Sequence, residues 1–343
     1  MRLGFCCKYI HPDRTLKPKV LKETEQPYNC RATTVRWLNE HKDQAEERLW
    51  DLMQHNISSI YELIKYTGAL PKPLRMCRLS SPVLPVATEA TWKYFWSKPD
   101  VIAYCEKHFA EVGDTARRLG VRISFHPGQF TVLASESDDI INRSIEEFEY
   151  HVSMARWMGY GKTFQDFKIN VHISGRRGPQ GIIDVLPRLS PEARNTLTIE
   201  NEEMKWGLDD VLQLQKHVAL VFDIHHHWVN CGEWISVDDD RIKRIIDSWR
   251  GVRPAMHYSQ PRESLHNKVD ASKLLDREDL FTQGENRATI RAHSDYYWHK
   301  PTNDWLKPFG EYFDIQCESK AKNLASAMLA TEYQLIPMGS VDF

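Results

Sequence analysis

Six short β-type runs in this chain each end on a residue able to ligate a metal: His126, His172, Glu200, Asp223, His257 and Glu318. The runs cover 121–126, 168–172, 197–200, 220–223, 254–257 and 313–318, and are rich in Val, Ile and Phe. With Arg2–Cys6 and Leu74–Leu79 added they make eight strands, several separated by segments of helical periodicity. Such alternation builds a parallel sheet, and eight strands predict a closed (β/α)₈ barrel of the TIM type. A parallel barrel gathers the C-terminal ends of its strands on one face, so the six residues are expected to converge there. Burying that many ionisable groups together costs several kcal/mol each unless something compensates. A metal cluster is the compensation expected, and nitrogen and carboxylate oxygen donors without sulfur suit Mn, Zn or Mg.

The spacing predicts helices over about 33–66, 104–119 (closed by Gly120), 144–158, 208–217, 238–250 and 321–333. No linker or low-complexity tract interrupts the pattern, so residues 1–343 are read as a single barrel domain. The 60 residues between His257 and Glu318 exceed the roughly 30 of a whole βαβ unit. Residues 259–310 are therefore expected to form an elaborated loop between strands 7 and 8, over the ligand face. They carry Arg262, Lys268, Arg277, Arg287, Arg291 and Tyr296-Tyr297, and serve either as a solvated insertion or as a grip on substrate.

Composition limits the alternatives. A formal net charge of −2 in 343 residues supplies no global attraction to nucleic acid, though a basic face can coexist with an acidic one. The seven cysteines are scattered and include no CxxC pair, which points to a reducing compartment rather than a disulfide framework. No stretch approaches the roughly 20 apolar residues of a membrane span. A cytoplasmic location is expected, nucleoid-associated if the source is prokaryotic, with no membrane and no obligate protein partner.

Other residues extend the site. Asp223-Ile-His-His-His227 offers three more imidazoles, of which only one or two can bind one ion, because neighbours on an extended chain point oppositely. His293, inside the insertion, can reach back to the cluster. Pro127-Gly-Gln-Phe130 follows His126 directly, placing Gln129 and Phe130 beside the ligand face. An amide beside an aromatic ring can enter a base stack, hydrogen-bonding with one member and stacking with the other; a simple Pro-Gly turn is the plainer reading. Arg176 and Arg177, just after His172, are suited to phosphate.

The ordered series Leu3–Phe5, Arg78–Ser81, Phe125–Phe130, Val171–Ser174, Ile199–Asn201, Phe222–His227, His257–Ser259, Ala292–Asp295 and Asp314–Lys320 resembles the UV damage endonuclease family. That family is related to endonuclease IV and the xylose-isomerase-like barrels. The resemblance implies up to three divalent ions, Mn²⁺ first and Mg²⁺ or Zn²⁺ as alternatives. It also implies cleavage of damaged double-stranded DNA immediately 5′ of UV photoproducts and other lesions. Glu200 would be the central catalytic carboxylate, bridging two ions. His126 and His172 would complete one site, Asp223, His257 and Glu318 a second, and His226 with His293 a third. Gln129 and Phe130 fall where the family has its lesion-probing Gln-Tyr pair. The chain departs from the family pattern at four points: Phe130 for tyrosine, Ala255 for a lysine, Glu89 near a histidine and Tyr9 near an asparagine. Two other readings fit the same barrel: a metal-dependent sugar isomerase or epimerase, and a damage-binding protein without catalysis.

Overall fold

The structure, a computed structural model, describes residues 1–341. Its strands are β1 Leu3–Cys6, β2 Met76–Arg78, β3 Arg122–Phe125, β4 Lys168–His172, β5 Leu197–Glu200, β6 Ala219–Asp223, β7 Ala255–Tyr258 and β8 Asp314–Cys317. They close in sequence order into one barrel, every neighbouring pair parallel, with β1 joined to β8. The expected (β/α)₈ barrel is what the chain forms.

Register decides what converges. His172 pairs with Glu200 across β4 and β5, and Asp223 with His257 across β6 and β7. Alternation along a strand then sorts the side chains. In β4, Ile169 and Val171 join the main apolar core between sheet and helices, while Lys168, Asn170 and His172 point to the barrel axis, the first two bonding to His257 and His126 and His172 packing its ring on His126. Deeper in the barrel than the candidate ligands, Met76, Ala219, Val221 and Ala255 form a small apolar cluster with Trp249. Gly4 is required at this level. A Cβ there would stand 2.6 Å from the Met76 Cγ.

Several helices differ in extent from the sequence expectation. The predicted helix at 33–66 is two, Val35–Glu40 and Ala45–Ala69. The chain turns between them, where His41 bonds to the Trp37 carbonyl and stacks on that indole. The helix ending at Leu119 begins at Pro99, and the one ending at Trp157 begins at Asp138, capped by the Ser137 side chain. Pro at the first turn and Ser at the cap are both good start signals. Helices at Gly178–Val185, Pro191–Thr196 and Ile224–Cys231 were not anticipated from the periodicity.

The 259–310 segment is no bare loop. It contains helices Arg277–Thr282, Arg287–Ile290 and Lys300–Leu306. Leu265, Leu275, Leu280 and Ile290 pack on Trp228 and Val229 of the helix after β6, making a second apolar cluster. A short antiparallel bridge between Pro261 and His293 and a bond from the Ser294 N–H to the Gln260 carbonyl (2.9 Å) return its far end to the barrel mouth.

Candidate metal centre and nucleic-acid face

The eight residues expected as ligands all lie at the C-terminal mouth of the barrel. Glu200 is fully buried at the middle. Its carboxylate lies 2.9 Å from His257 Nδ1, 3.3 Å from His126 Nε2 and 3.5 Å from His226 Nδ1. Donor atoms come within 4.8 Å of one another in three groups that share members: His126, Glu200 and His257; His172, Glu200 and His226; Asp223, His257 and Glu318. The resemblance pairs His126 with His172; their ring centroids lie 4.8 Å apart here, while the donor atoms of His126 group with His257 and those of His172 with His226. His293 reaches the cluster from the insertion, its Nδ1 2.8 Å from the Glu318 carbonyl oxygen.

Asp223-Ile-His-His-His227 is not extended. β6 stops at Asp223, whose side chain caps the new helix by accepting from the His226 N–H at 2.8 Å. A helix rotates successive side chains by about 100°, so the three imidazoles fan apart. His226 enters the cluster, His225 packs against Trp228 and His293, and His227 turns outward to Cys231 and Glu233. Asn201 joins β5 to β6 by exchanging two 2.9 Å bonds with the Asp223 backbone, and its carbonyl fixes His226 Nδ1 at 3.0 Å.

Electrostatics fit a divalent cation. Burial pushes Asp223 up to about 8, with Glu200 and Glu318 adding to the rise. Against the penalty of burial, Asp223, Glu200, Glu203 and Glu318 raise His226 to about 9. Burial lowers His126 to about 3. Three carboxylates converge, and the buried Asp223 Oδ2 has no hydrogen-bond partner. A carboxylate oxygen left in that state costs stability unless a cation faces it. The donor set of imidazoles and carboxylates therefore fits divalent metal.

Three contributors were given no role in the site from the sequence. Arg78 forms an ion pair with Glu318. Asn170 bonds to Glu200 and His126, and is itself held by Thr198 Oγ1 at 2.8 Å. Lys168 is buried, with Nζ 2.8 Å from His257 Nε2, and burial lowers its amine to about 7. The period-two run Lys168, Asn170, His172 was the available signal. The lysine that the family pattern places at 255 is absent, yet an amine reaches His257 from β4 instead. Glu89 turns into its own loop and accepts from the Thr91 and Trp92 N–H groups. Tyr9 packs on Tyr28 and Tyr66.

On the same face the loop after β3 holds Gln129 exposed and leaves Phe130 85% exposed. Phe130 rims a surface hollow shared with Thr88, Ile140 and Arg143. Met204, on the loop after β5, is also exposed. The loop after β4 runs so close to its neighbour that a Cβ on Gly175 (φ +95°) would meet the Ala134 carbonyl oxygen at 2.3 Å. That turn leaves Arg176 largely exposed beside Glu136, whereas Arg177 pairs with Asp184. Within the insertion, Arg262 and Arg287 are exposed. Arg291 extends from the insertion to within 3.5 Å of Glu203. Arg277 instead turns inward, donating to the Val229 and Asn230 carbonyls.

The UV-endonuclease UvdE family profile matches residues 1–339. The chain belongs to that family. Among its relatives, the UV DNA damage endonucleases of Bacillus pumilus and Bacillus mycoides are each 26% identical, covering 89% of this chain and 88% and 89% of those proteins. The SacUVDE crystal structure shares the fold with a TM-score of 0.71 at 19% identity, spanning 98% of this chain and all of that one. Endonuclease IV from Thermus thermophilus follows at a TM-score of 0.52 and 11% identity, over 80% of this chain and 93% of that one. Among the described residues no helix is long and apolar enough to cross a membrane.

Proposed function

We propose that this protein is a metal-dependent DNA repair endonuclease that hydrolyses the backbone immediately 5′ of UV photoproducts and other distorting lesions, with Mn²⁺ as its preferred ion. The observation that carries the reading is the convergence of five imidazoles and three carboxylates (His126, His172, His226, His257, His293, Glu200, Asp223 and Glu318) beside an exposed aromatic wedge, in a chain of the UvdE family. Bound divalent ions would lower the pKa of a water and neutralise charge developing on the attacked phosphate and the leaving oxygen.

The protein's own groups do the rest. Glu200, fixed by Asn170 and His257, is the central carboxylate of the ligand set. Asn201 aims Asp223 and His226 together. Gln129 and Phe130 enter the duplex where a lesion has weakened stacking, so the cost of deformation, not base sequence, selects the site. Arg176 and the exposed arginines of the insertion contact phosphates. A sugar isomerase has no use for a phenyl ring standing in water at the rim, which favours DNA over a small open-chain sugar.

The test is nicking of supercoiled plasmid, irradiated and unirradiated, in Mn²⁺, Mg²⁺, Zn²⁺ or EDTA. Cleavage restricted to irradiated DNA and abolished by EDTA is expected, with 5′ placement read on a sequencing gel. Equal cutting of both plasmids would remove lesion specificity, and aldose conversion without nicking would favour the isomerase.

A further inference from the structure

His227, which the barrel mouth leaves unused, lies in a second constellation of ligating groups. His227 and Cys231 stand one helical turn apart on the helix Ile224–Cys231, and residues four apart share a face. Gly232 closes that helix in the left-handed region at φ +82°, its N–H bonding to the Trp228 carbonyl at 2.8 Å. The turn carries Glu233 back beside the other two. His227 Nε2 lies 3.4 Å from Cys231 Sγ and 3.2 Å from Glu233 Oε2, and all three donor atoms fall within 4.8 Å of one another.

Those separations have a metric meaning. Zinc bonds of about 2.3 Å to sulfur and about 2.0–2.1 Å to nitrogen or oxygen give tetrahedral edges of about 3.6 Å (S to N) and about 3.3 Å (N to O). The two observed distances differ from these edges by only about 0.1–0.2 Å. A thiolate, a carboxylate and a neutral imidazole together carry the charge that balances a dication. Arg241 grips Glu233 through both carboxylate oxygens, at 2.6 and 3.0 Å. Oε2 also lies within hydrogen-bond distance of His227 Nε2, so an ion there would take the place of that bond, with Arg241 orienting the carboxylate as partners of ligating carboxylates commonly do. Arg241 also bonds Asp239, so its charge is shared with a second acid. Cys231 is the one exposed cysteine of the chain; His227 is buried, so the site would open to solvent on the sulfur side.

We propose that His227, Cys231 and Glu233 form a zinc site on the flank of the barrel, separate from the cluster at its mouth and completed by water. The Cys231 thiol proton passes to solvent as the zinc–sulfur bond forms. The ion would tie the end of this helix to the following turn, fixing the segment that leads to the helix Asp240–Ser248.

A sulfur ligand distinguishes this site from the mouth, whose proposed ligands contain none. EDTA-stripped full-length protein titrated with Co²⁺ should develop thiolate-to-cobalt charge-transfer absorption whose final amplitude corresponds to about one bound thiolate per chain, ions at the sulfur-free mouth adding none. C231S should lack the band while nicking irradiated plasmid within about twofold of wild type. E233Q should keep the band but bind Co²⁺ about tenfold or more weakly. In unmutated protein, Zn²⁺ should slow alkylation of Cys231 about tenfold or more, read by peptide mass. No band, a band unchanged in C231S, or an alkylation rate indifferent to Zn²⁺ would leave the three residues a hydrogen-bonded triad and overturn the site, whatever the outcome of the nicking assay.

Discussion

Phe130→Ala tests whether the exposed ring is a lesion probe. At 85% exposure the phenyl group packs on almost nothing in the free protein, so removing it should change folding stability by no more than about 0.5 kcal/mol, as for ordinary surface positions. Its value must then lie in the complex. Stacking of a base on an aromatic side chain contributes about 1–3 kcal/mol. At about 1.4 kcal/mol per tenfold, that is a loss of roughly 5- to 150-fold in affinity for damaged DNA. Undamaged duplex offers the ring no gap, so its affinity should hold. Phe130→Tyr keeps the ring and should bind like the parent. The assay is equilibrium binding of matched oligonucleotides, with and without one photoproduct, in a Glu200→Gln background that does not cut. Equal weakening for both DNAs, or for neither, would refute the probe and leave Phe130 as a rim residue of its hollow.

Glu200→Gln should retain the fold, because Asn170 and the neighbouring imidazoles can still hydrogen-bond an amide, but should lose bound metal and most nicking; wild-type activity with full metal content would contradict its central place. Reversing Arg287 and Arg291 should weaken damaged and undamaged DNA alike, the effect shrinking as salt rises, and unchanged binding at low salt would assign the insertion a structural role. Arg277→Glu should act on stability instead, costing about 1.5–3 kcal/mol in denaturant melts through the lost charged bonds to the Val229 and Asn230 carbonyls. The metal-free protein should be acid-labile. Burial holds His126, His225, His257 and His293 below their ordinary value, so the unfolded chain takes up protons near pH 6.5 that the fold refuses. Stability present above that pH is lost as it falls toward about 3. His226 and Asp223, both raised, run the other way and offset part of that loss. A melting temperature of EDTA-treated protein that failed to drop between about pH 7 and pH 5 would show the sign to be wrong.

What the sequence determined by itself was local and periodic. Short Val- and Ile-rich runs ending on His, Glu or Asp already dictated strand alternation and which end of each strand carries chemistry. Parallel closure of eight such strands leaves those ends one place to meet, so the mouth of the barrel was legible without coordinates. Phe130 was legible too, as an apolar residue stranded beside a ligand in a Pro-Gly turn. Tertiary structure decided what depends on partners distant in the chain. Barrel register set Asp223 beside His257 and His172 beside Glu200, pairs that no local pattern specifies. Helix onset at Ile224 parted three adjacent histidines into three environments, because rotation per residue changes from 180° in a strand to about 100° in a helix. Arg277, Arg287 and Arg291 look alike in sequence, and only packing against the helix after β6 turned the first inward. Lys168 reaches His257 across 89 residues of chain. Contacts of that kind arise from closure of the sheet, and no local pattern of residues encodes them.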